Sequence, residues 1–176
     1  MGAHQDQNRG FAMYNREFNL SLFNKVAELS ESDLKKDMGA FFGSIHGTLN
    51  HILLVDRIWL GRFATAVPGM SALDGADLVY EFSSLRQELC SDFTELLRQR
   101  QITDHVITNW VEELSDKVLA QTMRYSNSKG HVREHPVWLA VAHMFNHQTH
   151  HRGQITTLLY QLGHDPGVTD YFAYVQ

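Results

Sequence analysis

The stretch His143-Met-Phe-Asn-His147-Gln-Thr-His150-His151-Arg-Gly-Gln154 holds four histidines in nine residues. It lies inside a helical pattern that spans residues 136–162 and ends at a glycine. Because helical neighbours are three or four positions apart, His143, His147 and His151 lie along one side of this helix. Two imidazoles one turn apart are a common way to hold a transition metal ion. The stretch therefore predicts a metal site on a long helix.

The apolar residues of the same helix indicate which histidines face the interior. At about 100° per residue, they cluster in one sector of the helix. His151 lies about 40° from the centre of that sector and His147 about 80°. His143 and His150 lie about 120° and 140° away, nearer to solvent. We therefore expect His147 and His151 to point between helices and the outer pair to lie at the rim.

Two polar residues, Gln148 and Arg152, share the inward stripe. Such groups need partners when buried, and a carboxylate is the expected partner of Arg152. They predict a polar pocket at the middle of the fold rather than a continuous apolar core. We expect an internal salt bridge for Arg152 and a solvated position for Arg57. The alternative is that these arginines anchor an acidic cofactor or substrate.

The rest of the chain predicts an all-α fold. Apolar residues at helical spacing indicate helices over residues 11–29, 44–63 and 77–100, and a shorter one over 103–116. Weak alternation and a turn cluster between residues 118 and 132 allow a small hairpin before the last helix. Four main helices with short connections favour an antiparallel four-helix bundle. We expect a single domain over residues 1–176, with residues 1–9 disordered.

Composition narrows the class of function. The net charge of −5 argues against nucleic acid as a partner, because phosphate binding needs a basic surface. Cys90 is the only cysteine, which excludes an internal disulfide and a thiolate metal site. The N-terminus lacks the apolar core of a secretory signal, and the apolar runs are too short to span a membrane. We expect a cytoplasmic protein that acts on a small molecule.

A metal site usually takes a third protein ligand. The candidates outside the last helix are His46, His51, His105, His131 and His135. The second helix, which carries His51, is apolar almost all round. It is therefore either buried on two sides or also used in a subunit interface, and this pattern predicts a homodimer.

Two motifs together resemble a known family. They are Leu49-Asn-His51-Ile-Leu-Leu-Val-Asp56-Arg-Ile-Trp59-Leu and the histidine stretch of the last helix. In order and spacing they are similar to the DinB-like family of four-helix-bundle metalloproteins, and the resemblance covers nearly the whole chain. It implies that His51, His147 and His151 bind one divalent transition metal ion, with zinc or nickel expected first. His143 and His150 match positions that often hold histidine, and we place them at the rim.

The resemblance implies a metal site more strongly than a reaction. Some relatives are thiol-dependent S-transferases, one is a maleylpyruvate isomerase, and many have no known activity. No acid lies between His147 and His151, which favours transfer of a small thiol cosubstrate over hydrolysis, although Asp56 or Glu134 could still supply a base. The alternatives are a hydrolase, a non-catalytic stress-associated metal-binding bundle, and a dimerisation module with a vestigial site. The loop over residues 123–132 could cover the pocket.

Overall fold

The computed structural model describes residues 2–175. Its elements, in chain order, are α1 (Ala3–Val26), α2 (Glu31–Leu34), α3 (Ile45–Ala66), a 3-10 turn (Ser71–Leu73), α4 (Phe93–Val111), α5 (Asp116–Leu119), β1 (Thr122–Ser126), β2 (Val132–Pro136), α6 (Val137–Gln161) and a second 3-10 turn (Tyr171–Ala173). The two strands pair antiparallel in a hairpin. The predictions of an all-α fold and of a small hairpin before the last helix are confirmed.

The four long helices form a bundle in which α1 and α3 each pack against both α4 and α6. Helix α1 runs antiparallel to α4, because Arg9 pairs with Glu112 near one end and Phe23 stacks on Phe93 near the other. Helix α3 likewise runs antiparallel to α6. This second pair of helices carries the motifs from which the metal site was predicted.

Helices α3 and α4 run parallel. Asp56 pairs with Arg100, and further along both helices Phe63 contacts Trp110. Two parallel helices that follow each other in the chain need a connection that returns along the bundle. Residues 67–92 make this crossover.

The helix predicted over residues 77–100 is wrong in its first part, because residues 77–92 are not helical. This segment is instead held along α3, where the Asn50 side-chain oxygen accepts hydrogen bonds from the backbone N–H groups of residues 89–90, both at 2.9 Å. Helix α4 then begins at an N-cap, because the Asp92 carboxylate accepts a hydrogen bond from the Glu95 backbone N–H at 2.8 Å. An acid at the N-cap followed three residues later by glutamate is a capping signal that apolar periodicity does not reveal.

Two other predicted boundaries are wrong. Residues 103–111 are not a separate short helix but the second half of α4, and the short extra helix is α5. The N-terminal residues are not disordered from residue 2 onward, because α1 begins at Ala3; Met1 lies outside the described residues. Gln5 donates to the Glu112 backbone oxygen at 3.0 Å, and Arg9 makes a two-point contact with the Glu112 carboxylate. These bonds tie the first turns of α1 to the end of α4.

The buried residues form two hydrophobic clusters with a polar layer between them. The first cluster includes Trp59 and Trp110, and the second includes Leu22 and Leu53. All four long helices contribute to the layer, whose buried polar members are Asn15, Asn19, Asp56, Arg100, Asp104, Gln148 and Arg152. On α4 and α6, these positions fall between the stretches that supply the two clusters, and on α3 Asp56 lies where the two stretches meet. The prediction of a polar centre in place of a continuous apolar core is confirmed.

The layer is organised around an ion pair between α3 and α4. Arg100 contacts Asp56 at 2.5 Å and Asp104 at 2.9 Å. The Gln148 side-chain amide donates a hydrogen bond to the same Asp56 carboxylate. Burying a charge is costly unless opposite charges and hydrogen bonds compensate it. Here one guanidinium pairs with two carboxylates from α3 and α4, and the Gln148 amide adds a hydrogen bond from α6.

The two arginines that were predicted from sequence behave differently from expectation. Arg152 donates to the side-chain oxygen of Asn15, and the Asn15 amide donates to Asp104 at 3.0 Å. The expected direct salt bridge between Arg152 and a carboxylate is therefore replaced by a contact through an asparagine. Arg57 is buried rather than solvated, and it pairs with Asp77 of the crossover at 2.6 Å. The physical reason is that the returning crossover covers this face of α3.

Helix α3 is buried on almost every side by its own chain. Its neighbours are α4, α6, β1 and the first 3-10 turn. The apolar character from which a homodimer was predicted is thus accounted for within one chain, and the homodimer stays a prediction. Within residues 2–175, no helix combines the length and apolar character needed to cross a membrane.

Candidate metal centre

The antiparallel packing of α3 against α6 brings the three predicted ligands together. His147 and His151 lie one turn apart on α6, and His51 faces them from α3. The Nε2 atoms of His51 and His147 are 3.2 Å apart, and those of His147 and His151 are 3.0 Å apart. One ring nitrogen from each of the three residues lies within 4.8 Å of the others.

These separations fit a single bound ion. Nitrogen atoms that bind one metal at about 2.0–2.1 Å are separated by about 2.9 Å at a 90° angle and about 3.3 Å at a tetrahedral angle. The two observed Nε2 separations, 3.0 and 3.2 Å, lie inside that range. His147 Nε2 is therefore at single-ion distance from both of the other Nε2 atoms, and one donor atom from each ring lies within 4.8 Å of the others.

Hydrogen bonds on the far side of two rings fix their tautomers. His51 Nδ1 lies 2.8 Å from the Leu85 backbone oxygen, and His151 Nδ1 lies 2.7 Å from the Gln154 side-chain oxygen. Because a carbonyl oxygen only accepts, each Nδ1 carries the proton and donates it. The Nε2 lone pairs of both rings then point at the centre. Such outer partners are typical of histidines that bind metals.

The electrostatic environment keeps these rings neutral. Burial lowers the pKa of His51 to about 4, with the nearby His151 adding to the effect. Burial and the neighbouring histidines lower the pKa of His147 to about 2. The pKa of His151 is also lowered, mainly by burial. All three are therefore unprotonated at neutral pH, which is the form that binds a metal ion.

Phe42 closes the outer side of the cluster. Its ring stacks on His51 with ring centroids 3.8 Å apart and meets His151 edge-on at 5.5 Å. The backbone of this segment passes so close to the first turn of α3 that a Cβ at Gly47 would lie 2.3 Å from the Phe42 backbone oxygen. Glycine at position 47 is thus required for Phe42 to reach the histidines. No periodicity or motif of the sequence pointed to either residue.

A cavity of about 500 Å³ opens beside the three histidines. Its wall is formed by Phe41, Phe42, His51, Val55, Ile58, Trp59, Arg62, Leu85, Tyr125, Asn127, Ser128, His143, His147, His150, His151 and Gln154. The exposed His143 and His150 line it outside the three-nitrogen cluster, as expected for rim residues. The hairpin contributes Tyr125 and Asn127 to the wall, so the loop over residues 123–132 borders the pocket, and its role as a cover stays a prediction.

The wall of the cavity contains no aspartate or glutamate within residues 2–175. The two acids that were considered as a base lie elsewhere. Asp56 is held in the polar layer by Arg100, and Glu134 is exposed on β2 outside the cavity wall. Among the described residues, the wall therefore combines five imidazoles and four aromatic rings with aliphatic side chains, neutral polar groups and one guanidinium.

That guanidinium belongs to Arg62, a residue that was not predicted from the sequence. Arg57 and Arg152, which the sequence suggested as anchors, are absent from the cavity wall among the described residues. A usable signal was present, since positions 51, 55, 58, 59 and 62 share one face of a helix. Periodicity measured on apolar residues alone gives no weight to an arginine.

The remaining candidates for a third ligand lie outside the cluster. His46 is buried and pairs with Glu88 at 2.8 Å. His105, His131 and His135 are not part of the three-histidine group. A larger groove of about 910 Å³ runs between α1 and α6. Its wall includes only one histidine of the described residues, His4, so it offers no comparable set of donors.

The fold and the site define a helical-bundle protein with a three-histidine centre between its second and last long helices. The chain belongs to the DinB family, whose family model matches residues 1–176. It is also similar to Protein DinB of Bacillus subtilis (strain 168), with 26% identity over 162 residues that cover 92% of this chain and 90% of that protein. The resemblance inferred from the two motifs is confirmed.

Proposed function

We propose that this protein binds one divalent transition metal ion through His51, His147 and His151 and catalyses the transfer of a low-molecular-weight thiol to a small electrophile. The observation that carries the proposal is the convergence of three neutral imidazole nitrogens, 3.0 and 3.2 Å apart, at the wall of a cavity. Neutral imidazoles suit zinc, nickel and other divalent metals, so zinc or nickel is the expected ion.

The donor set supports a bound cation. Two of the rings donate through Nδ1 to oxygen atoms, which turns their Nε2 lone pairs towards each other. Within residues 2–175, the buried Nδ1 of His147 has no hydrogen-bond partner. A cation bound between the three Nε2 atoms removes the repulsion between their facing lone pairs. Because His147 then binds the cation through Nε2, its proton stays on Nδ1.

The cavity favours a catalytic ion over a purely structural one. Structural sites usually have four protein ligands, whereas catalytic sites keep a position open. Three histidines of the described residues meet here, and the space beside them amounts to about 500 Å³. A metal held in this way supplies Lewis acidity that lowers the pKa of a thiol in the cavity.

The chain itself contributes positioning and exclusion of water. Phe42 shields His51 and His151 from the outside, and Trp59 and Tyr125 form an aromatic wall at the opposite end. Hydrolysis would need a base to activate water, usually a carboxylate, and the described part of the wall has none. A thiol, being far more acidic than water, does not depend on such a base, because its proton can pass to solvent. This difference favours S-transfer over hydrolysis.

The test begins with the metal content of protein purified without a histidine tag. The parent is expected to hold about one equivalent of metal and His147→Ala none, because a three-ligand site loses its central member. His131→Ala, which changes an exposed histidine on the hairpin turn, is the matched control and should keep the metal. Absence of metal from the parent after reconstitution with zinc and with nickel would overturn the proposal.

Activity is then measured with a panel of small thiols and an activated aryl chloride as the electrophile. The metal-loaded parent and His131→Ala should form the thioether and release chloride, while His147→Ala should not. A stoichiometric metal that gives no turnover with any thiol would favour the non-catalytic metal-binding bundle. Ester hydrolysis without thiol would instead favour the hydrolase.

A further inference from the structure

We infer that Arg62 is the anion-binding group of this cavity and that its ligand is a small molecule with a carboxylate at one end and an apolar or aromatic body. The inference gives the proposed function a class of substrate, and in this respect it rests on the proposed function. The binding of the anion itself depends only on the cavity wall. Two independent features of Arg62, its missing counterion and its placement, carry the inference.

Among the described residues, Arg62 has no acidic partner. Its guanidinium lies 4.6 Å from the centre of the Trp59 ring and 4.8 Å from that of Tyr125, and one of its nitrogens donates to the Ser126 backbone oxygen at 3.3 Å. Within residues 2–175, no carboxylate pairs with it. A guanidinium has five N–H donors, so most of its donors remain for a ligand. The aromatic contacts hold its plane in place without neutralising its charge.

The buried arginines Arg57 and Arg152 differ from Arg62 in having side-chain partners elsewhere in the chain. Arg57 is paired with Asp77, and Arg152 is hydrogen-bonded within the polar layer. Burial without an opposite charge is unfavourable for a cation, and it lowers the pKa of Arg62 from its ordinary value. A carboxylate in the cavity would relieve this cost and could bind in the two-point geometry that arginine favours.

The wall as a whole has a positive bias. Arg62 is its permanently charged side chain, and within residues 2–175 the wall has no aspartate or glutamate to offset that charge. A cleft that carries one sign of charge attracts ligands of the other sign. The rings of Phe41, Phe42 and Trp59 supply apolar surface beside that charge. The wall therefore fits an acid with an apolar body rather than a neutral or cationic molecule.

The placement of Arg62 sets the length of the ligand. Its Cα lies eleven residues after that of His51, or about 16 Å along the helix axis. Helical side chains lean towards the N-terminus of their helix, so the guanidinium reaches back over Trp59 towards the histidines. Trp59 in turn contacts His143, with ring centroids 5.1 Å apart. A ligand on the order of 10 Å long would place its carboxylate on Arg62 and its other end at the three-histidine cluster.

The test compares two probes of the same shape, 3-phenylpropanoate and its neutral amide 3-phenylpropanamide. Dissociation constants are measured by calorimetry or ligand-observed NMR on the full-length protein, in both metal-free and zinc-loaded form. The parent should bind the carboxylate at least about tenfold more tightly than the amide in both forms. Arg62→Met should bind the two probes equally, and Arg62→Lys should keep part of the preference.

Arg124→Met is the matched control, because Arg124 is exposed on β1 of the same hairpin and is not part of the cavity wall. It should keep the full preference for the carboxylate. Arg62→Gln serves as a second neutral variant if Arg62→Met fails to fold by circular dichroism. Equal binding of the two probes to the parent overturns the inference, and so does a preference that survives Arg62→Met in metal-free protein.

A preference seen only in zinc-loaded protein, and retained by Arg62→Met, would place the anion on the metal and would likewise overturn the role of Arg62. The proposed function is tested separately, by measuring the metal content of the parent and of His147→Ala. The metal-free arm of the binding test does not depend on that result.

Discussion

Metal binding to this site should depend only weakly on pH. A histidine with the ordinary pKa of about 6.5 competes with protons, and between pH 7.5 and 5.5 it weakens metal binding about tenfold. Three such ligands would weaken it about 1,000-fold. Here the pKa of His51 is about 4 and that of His147 about 2, so both remain unprotonated throughout this interval. Only His151 can contribute, and the total change should not exceed about tenfold.

The assay is a zinc titration against a competing chelator at pH 7.5, 6.5 and 5.5, corrected for the proton affinity of the chelator. Calorimetry in two buffers of different ionisation enthalpy reports the protons released. Three ordinary histidines would release close to three protons at pH 5.5, whereas this site should release about one or fewer. A loss of affinity of about 100-fold or more, or release of more than about two protons, would refute the reasoning from burial.

Three further predictions concern stability, each measured by urea unfolding of the metal-free protein. The pKa of His51 is lower in the folded state than its ordinary value, so the free energy of unfolding falls as the pH drops from 6.5 towards 4. His51→Phe removes this titrating group and should reduce the loss of unfolding free energy between pH 7.5 and 5 by about 2 kcal/mol. Gly47→Ala should destabilise the fold by about 1–3 kcal/mol, because the new Cβ would meet the Phe42 carbonyl oxygen. Arg100→Met should cost about 3–5 kcal/mol, since it leaves the buried carboxylate of Asp56 without its charge partner.

Two of these substitutions have matched controls. Gly153 also lies inside a helix, but a Cβ there would meet nothing within 4 Å, so Gly153→Ala should be neutral or stabilising by up to about 1 kcal/mol. Arg98 is an exposed arginine of α4, and Arg98→Met should change stability by less than about 0.5 kcal/mol. Equal losses in a variant and its control would contradict the structural explanation. For His51→Phe, a free energy of unfolding that depends on pH in the same way as that of the parent would contradict the explanation from the lowered pKa.

The sequence predicted the parts of this protein that depend on periodicity within one helix. Helix α6 and the inward positions of His147 and His151 followed from a wheel, because the same apolar face that buries a helix also orients its polar residues. His51 was placed by its motif, since the wheel of α3 is apolar on more than one side. The polar centre of the bundle was also expected, from Gln148 and Arg152 on the buried stripe.

The features that the sequence did not predict depend on how distant segments meet. The crossover over residues 77–92 has the composition of a helix, yet its path is set by the parallel packing of α3 and α4. The same covering segment buries Arg57, which appeared to belong on the surface. Arg62 shares one face of α3 with His51, but its place in the cavity wall also depends on how α6 and the hairpin pack against that face. Such facts arise from tertiary contacts, and a single helical pattern does not contain them.

The polar layer at the centre of the bundle also has a consequence for how this chain can diverge from its relatives. Its members share partners across all four long helices, so a change at one position leaves a charge or an amide on another helix unmatched. Accepted replacements should therefore occur as coordinated sets, for example loss of Asp56 together with Arg100, while the hydrophobic positions above and below drift one at a time. In an alignment of the family, these buried polar positions should co-vary with one another more strongly than with any neighbour in the apolar clusters.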